Sequence, residues 1–213
     1  MESEHPKKSW SKLMWVVALV VGLFALSLIV PTYNAISPRS DQVRATSNCR
    51  QIISALKLYA GDHGGAYPDS DPSQPETAND AFRLLVQQDL IQDERIFGCP
   101  ISPFNGDNNI GTAPDYTEAV APNENHWMLV AGLNEKSDPG APIVFENALS
   151  TTLPLTWDTA NAGKPVRGRT WRGGKIVVGL NDNSVSVIKL SKKPTPVLNL
   201  PPGTRILDIE TAP

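Results

Sequence analysis

The sequence predicts an α+β fold, helices first and an antiparallel sheet after, from three observations. Eighteen uncharged residues, Leu13 to Val30, form one apolar run. Behind it Ala45, Cys49, Ile52, Leu56 and Tyr59 recur at helical spacing. Beyond residue 125 the apolar runs shorten to strand length between turn residues.

The first run is read as a transmembrane helix, because at about 1.5 Å per residue it nearly spans a hydrocarbon core. Lys7, Lys8 and Lys12 precede it and the first basic residue beyond it is Arg39, so the positive-inside bias keeps the N-terminus cytoplasmic. Trp10 and Trp15 suit interfacial anchors. A cleaved signal peptide is the competing reading, but its apolar region is about 7–15 residues and Tyr33-Asn34-Ala35 is a poor small-x-small site. A buried core helix is the third. The expected plan is a cytoplasmic N-terminus at 1–12, a transmembrane helix at 13–30, an exported domain at 31–190 and a Pro-rich tail at 191–213. Such a chain is a single-pass protein of the bacterial inner membrane, with the lipid bilayer as a partner and its C-terminal domain periplasmic.

Composition narrows the classes. A net charge of −3 without long charge runs leaves no electrostatic footprint for nucleic acid, and the three histidines, His5, His63 and His126, are scattered. Nineteen prolines and fifteen glycines imply many turns, while the aliphatic content is too high for disorder of the whole. Cys49 and Cys99 fall on the side assigned to an oxidising compartment, so a disulfide is expected. It would close a loop of roughly 50 residues and stabilise by about 4 kcal/mol in the chain-entropy model. Two buried free thiols are the alternative.

Ser37-Pro38 reads as a helix start, and Ile53 and Ala60 widen the apolar stripe that follows, with Arg44, Arg50, Gln51 and Lys57 off it. Gly61, Gly64, Gly65 and Pro68 end that helix. Asp80 to Gln88 places Phe82, Leu85 and Val86 at helical spacing, and Cys99 to Asn125 is rich enough in Pro, Asn, Asp and Gly to be a long irregular excursion. Strands are expected at Trp127 to Leu133, Pro142 to Glu146 and Lys175 to Leu180. The last pairs with Ser184 to Lys189 across Asn181-Asp182-Asn183, a hairpin with Val185 and Val187 on one buried face. An edge strand is expected at Arg205 to Ile209.

In this order the landmarks form a pattern: the apolar helix, Pro31, Asn48-Cys-Arg-Gln-Ile-Ile-Ser-Ala-Leu-Lys-Leu-Tyr-Ala60, Gly64-Gly65, Tyr67-Pro68 and Ile96-Phe97-Gly98-Cys99-Pro100. It resembles the type IV pilin-like and type II secretion pseudopilin-like proteins of planctomycetes and verrucomicrobia, over Leu13 to about Leu190. Their C-terminal signature, His-Gly-Gly and then Asp-Gly after nine residues from the His, is similar to Arg172-Gly173-Gly174 and Asp182-Asn183 here. Arg172 stands for the family's His and Asn183 for its Gly. The hairpin survives these changes because Asn can occupy a turn, whereas a role specific to the imidazole does not carry over. Prepilins also carry Gly-Phe-Thr-Leu-x-Glu at the leader-peptidase cut, and Ser9-Trp10-Ser11-Lys12-Leu13-Met14 does not match it.

The resemblance implies a pilin-like fold, with the amphipathic helix packed on a small antiparallel sheet. It also implies a structural or assembly role beside other pilin-like or secretion-system subunits, here without leader processing. A membrane-tethered ligand- or glycan-binding module is the alternative. No Gly-x-Ser-x-Gly, His-Glu-x-x-His, phosphate-binding glycine loop or Cys-x-x-Cys is present, so no catalytic residue is assigned. Asp107-Asn108-Asn109 and Asp69-Ser70-Asp71 offer oxygens of the kind calcium prefers, and pseudopilins like this chain hold calcium before their C-terminal strands. Neither segment keeps a calcium-loop spacing, so loop solvation is the default and no cofactor is expected. His63 reads as a helix-end cap, Asp182 as a turn residue, and Arg167, Arg169, Arg172 and Lys175 around Trp171 as a solvated entry to the hairpin.

Overall fold

The computed structural model describes residues 12–191 and 198–212, and all of their side chains except those of 13 and 29–37. Lys7, Lys8, Trp10 and the start of the Lys192-Lys193-Pro194 tail lie outside the described residues. The chain divides into two units, Met1–Ser40 and Asp41–Pro213.

Helix α1 runs from Lys12 to Asp62 without a break. The expected restart at Ser37-Pro38 is therefore corrected. An interior proline removes one donor and crowds one carbonyl, and the turns on either side hold the helix together. The transmembrane expectation is also overturned: among the described residues no helix is long and apolar enough to cross a membrane. The single-pass inner-membrane placement and the membrane part of the fold class fall with it.

In the second unit the apolar stripe of α1 is the spine of the core. Ala45, Cys49, Ile52, Ile53, Leu56, Tyr59 and Ala60 are all buried. The helix ends in a Schellman-type cap, with Gly64 at φ +64° and the Gly65 N–H donating to the Ala60 carbonyl at 2.8 Å. Helix α2, Ala78–Gln87, begins two residues before the expected Asp80. Thr77 and Asp80 form a capping box there, each side chain accepting from the other's backbone N–H.

Five strands form one antiparallel sheet: β1 Trp127–Val130, β2 Pro142–Glu146, β3 Lys175–Leu180, β4 Val185–Lys189 and β5 Ile206–Leu207. Their order is β4-β3-β2-β1-β5. Successive side chains point to opposite faces, and both faces are covered. Trp127, Leu129, Val144 and Val177 join the helical core, whereas Met128, Phe145, Ile176 and Val178 join a second core with Phe104, Leu155, Trp157, Leu198 and Ile209. The expectation of one buried hairpin face is corrected accordingly. β3 is buried from Ile176 to Gly179, while Val187 on the outermost strand stays 39% exposed. At Gly179 α1 lies close against the sheet: a Cβ there would overlap Ile53 Cδ1 and lie 2.8 Å from Cys49 Sγ.

Candidate functional site

β2 ends on Glu146, a carboxylate with no exposed surface. Its Oε2 accepts the Val177 N–H at 2.9 Å, which ties β2 to β3. Its Oε1 accepts the Trp171 indole N–H at 2.9 Å and faces His126 Nε2 at 3.3 Å, Cys99 Sγ at 3.5 Å and Arg169 Nη2 at 3.6 Å. Arg169 is itself buried, its guanidinium 4.4 Å over the Trp171 ring. Its Nη2 donates to the Pro100 carbonyl at 2.9 Å and to Cys99 Sγ at 3.1 Å, while Nε and Nη1 have no partner.

The hydrogen bonds assign the imidazole tautomer. His126 Nδ1 lies 2.8 Å from both Asn147 Nδ2 and Ser102 Oγ. The amide nitrogen can only donate, so Nδ1 accepts and Nε2–H donates to Glu146. Burial pushes His126 below its ordinary value and keeps the ring neutral, outweighing the Glu146 carboxylate that favours the charged form. Burial likewise holds the Cys99 thiol well above its usual range, with the Glu146 charge adding to the effect.

Cys99, His126 and Glu146 bring a thiol, an imidazole and a carboxylate within 4.8 Å of one another. That donor set suits zinc. The place of a cation beside Sγ and Oε1 is nonetheless taken by Arg169, and the thiol is held protonated. The arrangement therefore works as a framework: it binds the loop after Phe97, the start of β1, the end of β2 and the entry to β3 through one carboxylate.

The expected disulfide is corrected, since both thiols are free and buried. Cys99 faces Arg169 and Glu146, while Cys49 Sγ contacts the Val144 carbonyl at 3.8 Å. Each sulfur is claimed by a different strand neighbour. Burial, followed by the Glu146 charge, also keeps the Cys49 thiol protonated.

The hairpin residues fall at two turns. Arg172, Gly173 and Gly174 form the bend between Trp171 and Lys175, both glycines at positive φ, and the Gly174 carbonyl accepts the Leu190 N–H at 2.7 Å. Asp182 acts as a turn residue, its Oδ1 accepting the Ser184 N–H at 2.8 Å. Asn183 sits at φ +70° and its Nδ2 donates to Ser54 Oγ on α1 at 2.9 Å. Between Arg167 and Lys175 the basic residues separate. Arg172 is exposed and Arg167 chelates both Asp208 oxygens at 2.7–2.8 Å, but Arg169 is in the core, so the solvated reading is corrected for it. His63 does cap its helix, with Nδ1 2.7 Å from the Tyr59 carbonyl and its ring stacked on Tyr59.

The two acidic segments also part company. Asp71 accepts from Tyr59 and Ser73, whereas Asp69 is buried against Gly132. Asp107 comes within 4.8 Å of Glu94 and Glu124. Glu94 already braces the loop by accepting the Asn108 and Val120 N–H groups, and Glu124 accepts that of Ala121.

Sequence reasoning missed Glu146, His126 and Arg169. The available signals were weak: one acid closing an apolar strand, and one arginine in a basic stretch. No family model, curated protein or solved structure matches the chain, so the likeness to pilins rests on its own residues.

Proposed function

We propose that this chain is a pilin- or pseudopilin-like structural subunit that acts by assembly with other such subunits. One observation carries the reading. Between Met14 and Leu28 the large apolar side chains of α1 are 49–67% exposed, Trp15 and Phe24 the most. They lie all round the helix, and a helix apolar on every side belongs in the interior of something larger. The surrounding helices of like subunits supply such an interior, by side-chain packing along the axis.

A full-length chain with Leu19→Cys and mild oxidant tests this, with mass by light scattering. The expected result is a discrete oligomer joined at position 19, and reversion to monomer in Leu19→Glu/Phe24→Glu. A monomer that forms no crosslink at any attainable concentration overturns it.

A further inference from the structure

The two edges of the sheet are finished differently. At β5 the outward backbone groups are taken: the Asp208 carbonyl accepts the Ala78 N–H at 2.7 Å, and the Glu210 N–H donates to Asn79 Oδ1 at 2.9 Å. At β4 they are open. The Leu180 N–H donates to the Ser184 carbonyl and the Leu190 N–H to that of Gly174, which together with the pairing of Ser186 on Val178 and Ile188 on Ile176 turns the even-numbered residues toward β3. The N–H and C=O groups of Val185, Val187 and Lys189 therefore point away from β3, and among the described residues they have no hydrogen-bond partner. Such a row is a template for one more strand. Of the usual guards against pairing, β4 carries a lysine but no proline and no bulge.

Val185 packs against the helical core, so Val187 and Lys189 share the face of α1 with it. Ser54 of α1 accepts the Asn183 amide at 2.9 Å, which sets one side of the helix along this edge. Arg50 and Lys57 lie about one turn before and after Ser54 on that side. Lys57 is near enough to favour the Asp182 carboxylate, after the Ser184 hydrogen bonds that lower it most. Lys175 of β3 stands opposite Lys189. Among the described residues none of these cations is in an ion pair, and the sequence continues past Ser191 with two further lysines.

We propose that β4 takes up, as an added antiparallel strand, an extended acidic segment of a partner protein, with a β-branched residue opposite Val187 and a carboxylate two positions to either side. The ladder to Val185, Val187 and Lys189 supplies affinity, and the side chains select. Residues opposite those three point to the α1 face, where the flanking carboxylates meet the basic side chains. A second copy of β4 is the poorer occupant, because its own Lys189 would add charge to an edge that is already basic. Nothing in this assignment depends on assembly through the apolar stretch of α1.

Calorimetric titration of the full chain with the capped peptide Ser-Glu-Thr-Val-Thr-Glu-Ser tests it. One control carries lysine for both glutamates, and another is N-methylated at its valine, which keeps the charges but removes the central ladder bond. Saturable one-to-one binding is expected for the acidic peptide, with both controls weaker by about tenfold or more. Amide exchange at Val185, Val187 and Lys189 is expected to slow on binding. Val187→Pro removes an N–H that the β3 ladder does not use, and is expected to weaken the peptide by about tenfold or more. Lys189→Glu, expected to weaken it by about tenfold, keeps the test open if the proline variant fails to fold. Leu19→Glu/Phe24→Glu is expected to bind as the unmodified chain does, which separates this result from the assembly experiment. Absence of saturable binding, equal affinity for either control peptide, affinity unchanged by Lys189→Glu, or a dimer paired through β4 that the peptide does not displace overturns the proposal.

Discussion

On one face of the sheet Trp127, Leu129, Val144 and Val177 meet the apolar stripe of α1; on the other, Met128, Phe145, Ile176 and Val178 meet Phe104, Leu155, Trp157 and Leu198 from segments without regular structure. The first cover is a helix whose backbone is satisfied internally, so its side chains can close against the strands without gaps. Its fit is close enough that Gly179 admits no side chain. The second cover is pieced from loops that must also satisfy their own backbone groups, as Leu149 does with the Thr156 carbonyl and Asp158 with that of Gly168. It leaves an open cleft beside Asp69. One face thus provides rigidity and the other provides space.

The sharpest break in this comparison is at the Glu146 carboxylate, which holds the helical face together from within. Arg169→Met is expected to cost about 3–5 kcal/mol, because it leaves a buried carboxylate without its cation. Urea unfolding measures it, and a loss below 1 kcal/mol would mean that the pair contributes little to the framework. Next come matched truncations on the two covers. Leu56→Ala is expected to cost about 2–5 kcal/mol of global stability. Leu198→Ala is expected to cost less and to speed amide exchange near β5 before global unfolding, since a segment without regular structure opens locally at lower cost. Equal losses would erase the distinction between the faces. Gly179→Ala, which overpacks the helical face alone, is expected to cost about 1–3 kcal/mol.

The smallest effect is in pH. His126, facing Glu146, Arg169, Cys99, Ser102 and Asn147, has a folded value below its ordinary 6.5. The folded state then binds fewer protons than the unfolded one, so this contribution is present above 6.5 and is lost as pH falls from there toward the lower folded value. Unfolding midpoints between about pH 7.5 and 5 are expected to fall, and His126→Gln to flatten that slope. A slope unchanged by the substitution would assign the dependence to other groups.

Much of the helical face was legible beforehand. The stripe from Ala45 to Ala60 is a repeat of three and four, and each of its members depends on neighbours within one or two turns. β2, β3 and the Asn183 turn were legible for the same reason. The long excursion after Cys99 was legible only as irregular, because turn residues mark where regular structure stops without saying where the chain goes. The Glu146 cluster was not legible. Cys99, His126, Glu146 and Arg169 meet only once β1, β2 and β3 are in register, and a shift of one residue would turn Glu146 to the other face.

The disulfide failed in a related way. Two thiols in a presumed oxidising compartment say nothing of the directions of their Cβ vectors, and Cys49 and Cys99 are aimed at different groups. Pro31 and Pro38 marked local cost but not a helix end, because the turns on either side keep their own bonds and the helix continues past the one each proline loses.

By itself the sequence determined what is local: the helical stripe and its glycine cap, the strands around Asn183 and the apolar character of residues 14–28. These follow from backbone periodicity and turn chemistry over a few residues. Only the tertiary structure decided that Arg169 is a core residue, that both thiols stay free and that Asp69 ends beside an aliphatic cleft. Each of those outcomes depends on contacts between segments far apart in the chain, where burial and charge are set by whatever the fold happens to bring alongside.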